Sequence, residues 1–132
     1  MGKIEGTTRV KTVEALYDFA VDGGAVGTIT LRGDNSIPSG SVITGGYIDI
    51  ETSCASATGT IAVQAEAAGD ILATSLEAAL TAGRKSVIPA GTGATTVKTT
   101  AERNVKIVIA TAAFTAGKFR VVLFYKWGAD HA

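Results

Sequence analysis

The sequence predicts an all-β protein: an antiparallel β-sandwich or jelly roll of about seven to eight strands, with one short helix on a crossover. Three observations carry that reading. Apolar and polar residues alternate along most of the chain. Val, Ile, Thr and aromatic residues dominate the alternating stretches. Gly and Pro interrupt them at short intervals. A length of 132 residues suits one domain around one core. We divide it into an N-terminal arm (1–9), a sandwich (10–128) and a C-terminal tail (129–132).

The elements follow in chain order. "VEALYDFAV" puts Val13, Ala15, Tyr17 and Phe19 on one face. "VDGGAVG" holds the pair Asp22-Gly23, a strong hairpin signal. "GTITL" sets Ile29 and Leu31 against Thr28 and Thr30, and "GGYIDIE" points Ile48 and Ile50 inward, with Tyr47, Asp49 and Glu51 outward. "GTIAVQAE" aligns Ile61, Val63 and Ala65, and "NVKIVIA" aligns Val105, Ile107 and Ile109. "KFRVVLFYKW" aligns Phe119, Val121, Leu123 and Tyr125. Its other face (Arg120, Val122, Phe124, Lys126) is apolar in the middle, which marks a strand central in its sheet or covered by a partner. "IPSG" at 37–40 and "IPAG" at 88–91 repeat one turn chemistry, and Gly117 in "FTAGKF" predicts a bend between the last two strands.

One segment departs from period two. Leu72, Leu76 and Leu80 recur at a spacing of four and Gly83 closes the stretch, which predicts a short helix on a crossover. The alternative is a strand that ends near Leu76.

Composition removes several function classes. Formal net charge is zero and no basic run occurs, so neither a nucleic-acid nor a membrane-surface footprint is present. The longest apolar run, Val121 to Tyr125, is far short of the roughly 20 residues a spanning helix needs. "MGKIEGTTRV" lacks the apolar centre of a signal peptide, and Gly6 breaks a myristoylation pattern.

Catalytic chemistry is mostly missing. The single histidine, His131, lies one residue from the C-terminus, without the fixed position or orienting partner a general base needs. Cys54 is the only cysteine, so an internal disulfide or a thiolate metal site is excluded. "GTGATT" at 91–96 lacks the third glycine of a dinucleotide fingerprint and the lysine of a P-loop. Trp127 is the sole Trp, too little for the aromatic platforms of a sugar cleft. The reading is a non-enzyme with no catalytic, cofactor or metal residues. Arg32-Gly33-Asp34, the tripeptide of many adhesion ligands, reads better as turn chemistry than as an integrin ligand.

The order "GTITL", "IPSGSVITGGYIDIET", "SCASATGT", "IAVQAE" and a closing "FTAGKFRVVLFY" hairpin resembles the capsid decoration (cement) proteins of tailed bacteriophages, across most of residues 13–126. The resemblance implies a virion structural protein, made in the host cytoplasm, that binds and stabilises the outer surface of a capsid. Its implied partners are further copies of itself, as a homo-oligomer and commonly a trimer, and the major capsid protein, with no nucleic acid or membrane. Small Ala, Gly and Thr side chains and near-zero charge suit close packing between subunits. The candidate partner-binding residues are Lys3, Ile4 and Arg9 of the arm and Arg32 and Asp34 of a loop. The alternative is a receptor- or carbohydrate-binding module of a phage tail or fibre, using the loop from Arg32 to Ser36.

Overall fold

The computed structural model describes residues 10–87 and 97–127. Among them are ten strands: β1 (Lys11–Asp18), β2 (Gly27–Thr30), β3 (Arg32–Asp34), β4 (Ser41–Ser56), β5 (Thr60–Gln64), β6 (Leu72–Leu76), β7 (Gly83–Ser86), β8 (Val97–Lys98), β9 (Lys106–Ala110) and β10 (Phe114–Trp127). They form two antiparallel sheets. The larger has the order β3-β1-β10-β4-β7, with β8 pairing β4 beside β7, and the smaller has the order β2-β9-β5-β6. The expected sandwich is present, with more strands than the seven or eight that periodicity marks, because β3, β7 and β8 are too short to show a period.

The inward faces are those the alternation marks. Val13, Ala15 and Tyr17 of β1, Ile48 and Ile50 of β4, and Phe119, Val121 and Leu123 of β10 meet Ile61, Val63, Ile107 and Ile109 of the smaller sheet in one core. Tyr17 and Phe119 stack with ring centroids 5.0 Å apart. β10 is central, hydrogen-bonded to β1 and to β4, which explains its two-sided apolar middle. In β4, Ile43 and Ile48 are both buried although they stand five positions apart, which would put them on opposite faces of a regular strand. A register shift against Phe124 and Tyr125 absorbs the difference. Gly46 allows it, since a methyl group there would run into the Val122 carbonyl oxygen.

Two expected turns resolve differently. Asp22-Gly23 makes no hairpin, because β1 and β2 lie in different sheets. Asp22 instead ends a single helical turn, Phe19–Asp22, in which the Asp18 carboxylate caps the Ala20 N–H and whose last residue is followed by Gly23 at φ 75°. Gly117 lies inside β10 rather than at a bend, and "FTAGKFRVVLFY" is one strand rather than a hairpin. The reversal before it falls at Thr111, which takes φ 72°. The 70–83 segment divides into β6, ending at Leu76, and a 3-10 turn, Glu77–Leu80, that carries the chain from the smaller sheet to β7 of the larger one. The spacing of four arises because Leu72 and Leu80 both reach the core from different elements, while Leu76 stays exposed. "IPAG", "GTGATT" and His131 lie outside the described residues.

Side-chain hydrogen bonds tie the loops at one end of the sandwich. Buried Asn35 donates from Nδ2 to the Leu31 and Val105 carbonyls (2.9 and 3.0 Å) and accepts the Val105 N–H at 2.7 Å. The Asp70 carboxylate accepts three successive N–H groups, from Ala65, Glu66 and Ala67, each at 2.8 Å. Asn35→Leu strands the buried Leu31 carbonyl and Val105 N–H, while the Val105 carbonyl keeps the Leu31 N–H. It should lower the free energy of urea unfolding by about 3 kcal/mol, and a loss under about 1 kcal/mol would mean that the amide does not hold this end.

Candidate interaction surface

The two sheets turn different chemistry outward. On the larger sheet, alternation and register bring Leu16 of β1, Arg120, Val122 and Phe124 of β10, and Tyr47 and Asp49 of β4 side by side on the outer face. Val122 is only 4% exposed although it points away from the core, because Glu14 and Tyr47 flank it across the strands. Tyr47 contacts Phe124 (centroids 6.2 Å apart) and the Arg84 guanidinium, 5.2 Å from its ring centre. Charged pairs frame this patch. Arg120 reaches Glu14 at 3.3 Å and Asp49 at 3.4 Å, and Lys118 reaches Glu51 at 3.4 Å. These pairs are exposed and each contributes little to stability.

The Arg32-Gly33-Asp34 tripeptide is strand β3, an edge strand hydrogen-bonded to β1, and not a tight turn. Each of its residues has a local reason. Arg32 forms a two-point ion pair with Asp22, Nε to Oδ1 at 2.9 Å and Nη2 to Oδ2 at 3.1 Å. Gly33 takes φ 95°, and a Cβ there would sit 2.6 Å from the Glu14 carbonyl oxygen. Asp34 is exposed opposite Glu14. Burial pushes the Asp22 carboxyl up, but the hydrogen bonds from Arg32 and from the Asp18 N–H outweigh it and hold it below its usual value. Arg32 and Asp34 thus share one face with the charged frame, with Arg32 already engaged. Lys3, Ile4 and Arg9 lie outside the described residues.

A depression of about 340 Å³ opens beside this ion pair, lined by Leu16, Asp18, Val21, Arg32, Asp49, Glu51, Lys118, Phe119 and Arg120, with Tyr17 below. Each cation in it faces a carboxylate, so the hollow has no surplus charge to draw an ion. No group of three or more His, Cys, Asp or Glu side chains placed to hold a metal occurs among the described residues. Nor is any helix among them long and apolar enough to cross a membrane. Cys54 is buried with its Sγ against Gly117, where an added Cβ would lie 2.8 Å away. Burial pushes its thiol up to about 11. Burial also pushes Tyr17 up to about 12, helped by Cys54, Asp22 and Asp18, and the Tyr17 hydroxyl donates to the Gly23 carbonyl at 2.6 Å.

At the opposite end Glu66 gathers the loop that follows β8. Its carboxylate accepts from Arg103 Nε at 2.7 Å, from the Thr100 hydroxyl at 2.7 Å and from the Thr100 N–H at 3.1 Å. Arg103 and then Thr100 lower its pKa from 4.5 to about 2. Sequence reasoning missed this group and the Tyr47–Phe124–Arg84 patch. Only the second face of β10 signalled the patch, and residues as far apart as Glu66 and Arg103 gave no sign of meeting.

Two predictions follow from this chemistry. Because the folded pKa of Glu66 lies below the unfolded one, its contribution is complete above about pH 4.5 and is lost as pH falls toward about 2. Thermal midpoints across that window should fall less steeply for Glu66→Gln than for the parent; parallel curves would show that Glu66 does not carry the acid response. Cys54 should remain unlabelled by a thiol reagent at pH 8 in native protein and react at once in denaturant. Rapid native labelling would contradict its burial.

No protein-family model matches the sequence, and no curated protein matches it. Solved structures do share the fold. A chain of the capsid asymmetric unit of cyanophage Pam1 superposes with a TM-score of 0.66 at 20% identity, covering 96% of this chain and 91% of that one. A chain of the capsid of Ralstonia phage GP4 gives 0.62 at 17% identity, covering 97% and 91%. A chain of the acidic stable capsid structure of Helicobacter pylori bacteriophage KHP30 gives 0.60 at 15% identity, covering 90% and 88%. At these identities the likeness is one of fold, and it extends over nearly the whole of each chain.

Proposed function

We infer that this chain is a non-enzymatic structural protein of a phage virion, and that it binds and stabilises the outer surface of the capsid as a decoration protein. The observation that supports the reading most is the end-to-end likeness to chains from three phage capsids. The described residues add to it. Their ion pairs tie cations to carboxylates and their one thiol is buried and protonated, so the surface is built for contact rather than for reaction. A sandwich with loops clamped by Asn35, Asp70 and Glu66 is a stiff body, which keeps the ordering cost of binding small.

The mechanism is linkage. A protein that binds the assembled shell and not its separated capsomers stabilises the shell by its binding free energy, about 2.7 kcal/mol per site at a hundredfold excess over Kd. The partner is the major capsid protein. Lys3, Ile4 and Arg9 of the arm and Asp34 of the exposed β3 edge are the contacts we propose, with Arg32 held in place by Asp22. The virion is the corresponding location.

The test adds purified protein to capsid shells that lack it. Co-sedimentation should saturate at a fixed ratio of copies to capsomers, and the temperature at which shells open should rise with occupancy. Removal of residues 1–9 should weaken binding at least tenfold. Shells that neither bind the protein nor gain heat resistance would overturn the reading.

A further inference from the structure

β2 ends the order of the smaller sheet, so one of its long sides has no neighbouring strand among the described residues. The direction of its backbone groups follows from its register. The Leu31 N–H donates to the Val105 carbonyl at 3.1 Å, which makes these two a hydrogen-bonded pair of the antiparallel ladder. The same register pairs Ile29 with Ile107 and Gly27 with Ile109, so those residues spend their N–H and C=O groups on β9. Thr28 and Thr30 alternate with them and turn theirs toward the open side. The other edges are blunted. β3 carries Arg32 and Asp34, β7 carries Arg84 and Lys85, and β8 is two residues long with Lys98. β6 pairs β5 through a register shift, which bends an edge away from a straight partner. β2 alone has no charge, no proline and no shift against its neighbour. Its Ile29 packs toward the core but is only partly covered, and Val26, just before the strand, is 57% exposed. We propose that the open side of β2 takes up an extended strand of the major capsid protein, which continues the smaller sheet by one strand. This rests on the reading of the chain as a capsid-binding protein.

Two arguments select this occupant. The first is chemistry. A row of outward N–H and C=O groups is matched by another extended backbone and by little else. Period two then sets the side chains. The incoming strand places an apolar residue beside Ile29, which completes its cover, and small uncharged residues beside Thr28 and Thr30. The second is size. The edge is about 13 Å long and offers the backbone groups of Thr28 and Thr30 only. That is too little to hold two separate proteins against the freedom they lose on association. A strand of a partner already bound through other contacts is held, because its addition is then an intramolecular step at an effective concentration of about millimolar. The contacts proposed above for the arm and Asp34 supply that attachment to the major capsid protein.

The test uses the full chain and capsid shells that lack it. In free protein the Thr28 and Thr30 amides should exchange rapidly with deuterium, while the Ile29 amide is protected. On shells, exchange at Thr28 and Thr30 should slow at least tenfold. Thr28→Pro, and separately Thr30→Pro in case the first fails to fold, each remove an outward N–H and no internal hydrogen bond. Each should weaken shell binding at least tenfold with an unchanged thermal midpoint. Shells that do not bind the parent protein overturn the capsid reading and this assignment together. Shells that bind it while the Thr28 and Thr30 amides stay unprotected overturn the assignment alone. So do folded Thr28→Pro and Thr30→Pro proteins that bind like the parent. Protection of the same amides in concentrated protein without shells would give the edge to a second copy, and would overturn the capsid protein as its partner.

Discussion

Strand β10 is hydrogen-bonded along both of its edges, to β1 over Lys11–Asp18 and to β4 over most of its length. This places the last strand of the described chain between two of the earliest, so the larger sheet cannot close until the C-terminal segment is present. It also fixes which residues form the core. With β1 and β4 in register on either side, Val121 faces Ala15 and Ile48, and each neighbouring pair inherits that phase. A slip of one residue would turn every buried side chain outward. The register shifts near Gly46 and Gly117 are the places where one long strand takes up an extra residue against the other. Pairings this distant in sequence close slowly, so the fold belongs with the slower-forming all-β topologies.

Most of the core was legible because it follows from period two. Every face marked inward by alternation in β1, β5, β9 and β10 is buried. Local chemistry at the turns was legible in kind but not in role. Asp22-Gly23 has the residues of a hairpin turn, and those residues serve equally well to stop a helical turn; which one forms depends on the sheet that β2 joins, a tertiary fact. The same holds for Arg32-Gly33-Asp34. Its glycine answers the close approach of β1 and its arginine answers Asp22, neither of which is visible in the tripeptide. The leucines at spacing four imitate a helix because two elements happen to send one leucine each to the core.

The surface was legible only in part, because it depends on which strands become neighbours. Tyr47 and Asp49 read as outward from sequence, and Phe124 and Arg120 as the second face of β10, but their meeting on one patch requires the β4–β10 register. Glu66, Thr100 and Arg103 converge through loops with no period, and the depressed pKa of Glu66 is a product of that convergence. Charges of this kind do more for order than for net stability. A carboxylate with three donors around it fixes the loop in one arrangement, whereas exposed pairs such as Lys118 with Glu51 are screened and worth little.

The difference between the two outer faces has a consequence for assembly. A sandwich with apolar patches on both faces would stack without limit, since each added copy would present the same surface again. Here the larger sheet frames its Tyr47–Phe124 patch with Glu14, Asp49, Arg84 and Arg120, so a second layer meets charges that must lose their water. Its edge strands are defended too: β7 is exposed throughout and carries Arg84 and Lys85, and β3 holds Arg32 and Asp34. The smaller sheet has no comparable defence, with Lys106 at one end and Glu77 beyond the other. Charged edges and a charge-framed larger face are what a protein needs if it is to sit at a repeated surface in high local concentration without condensing upon itself.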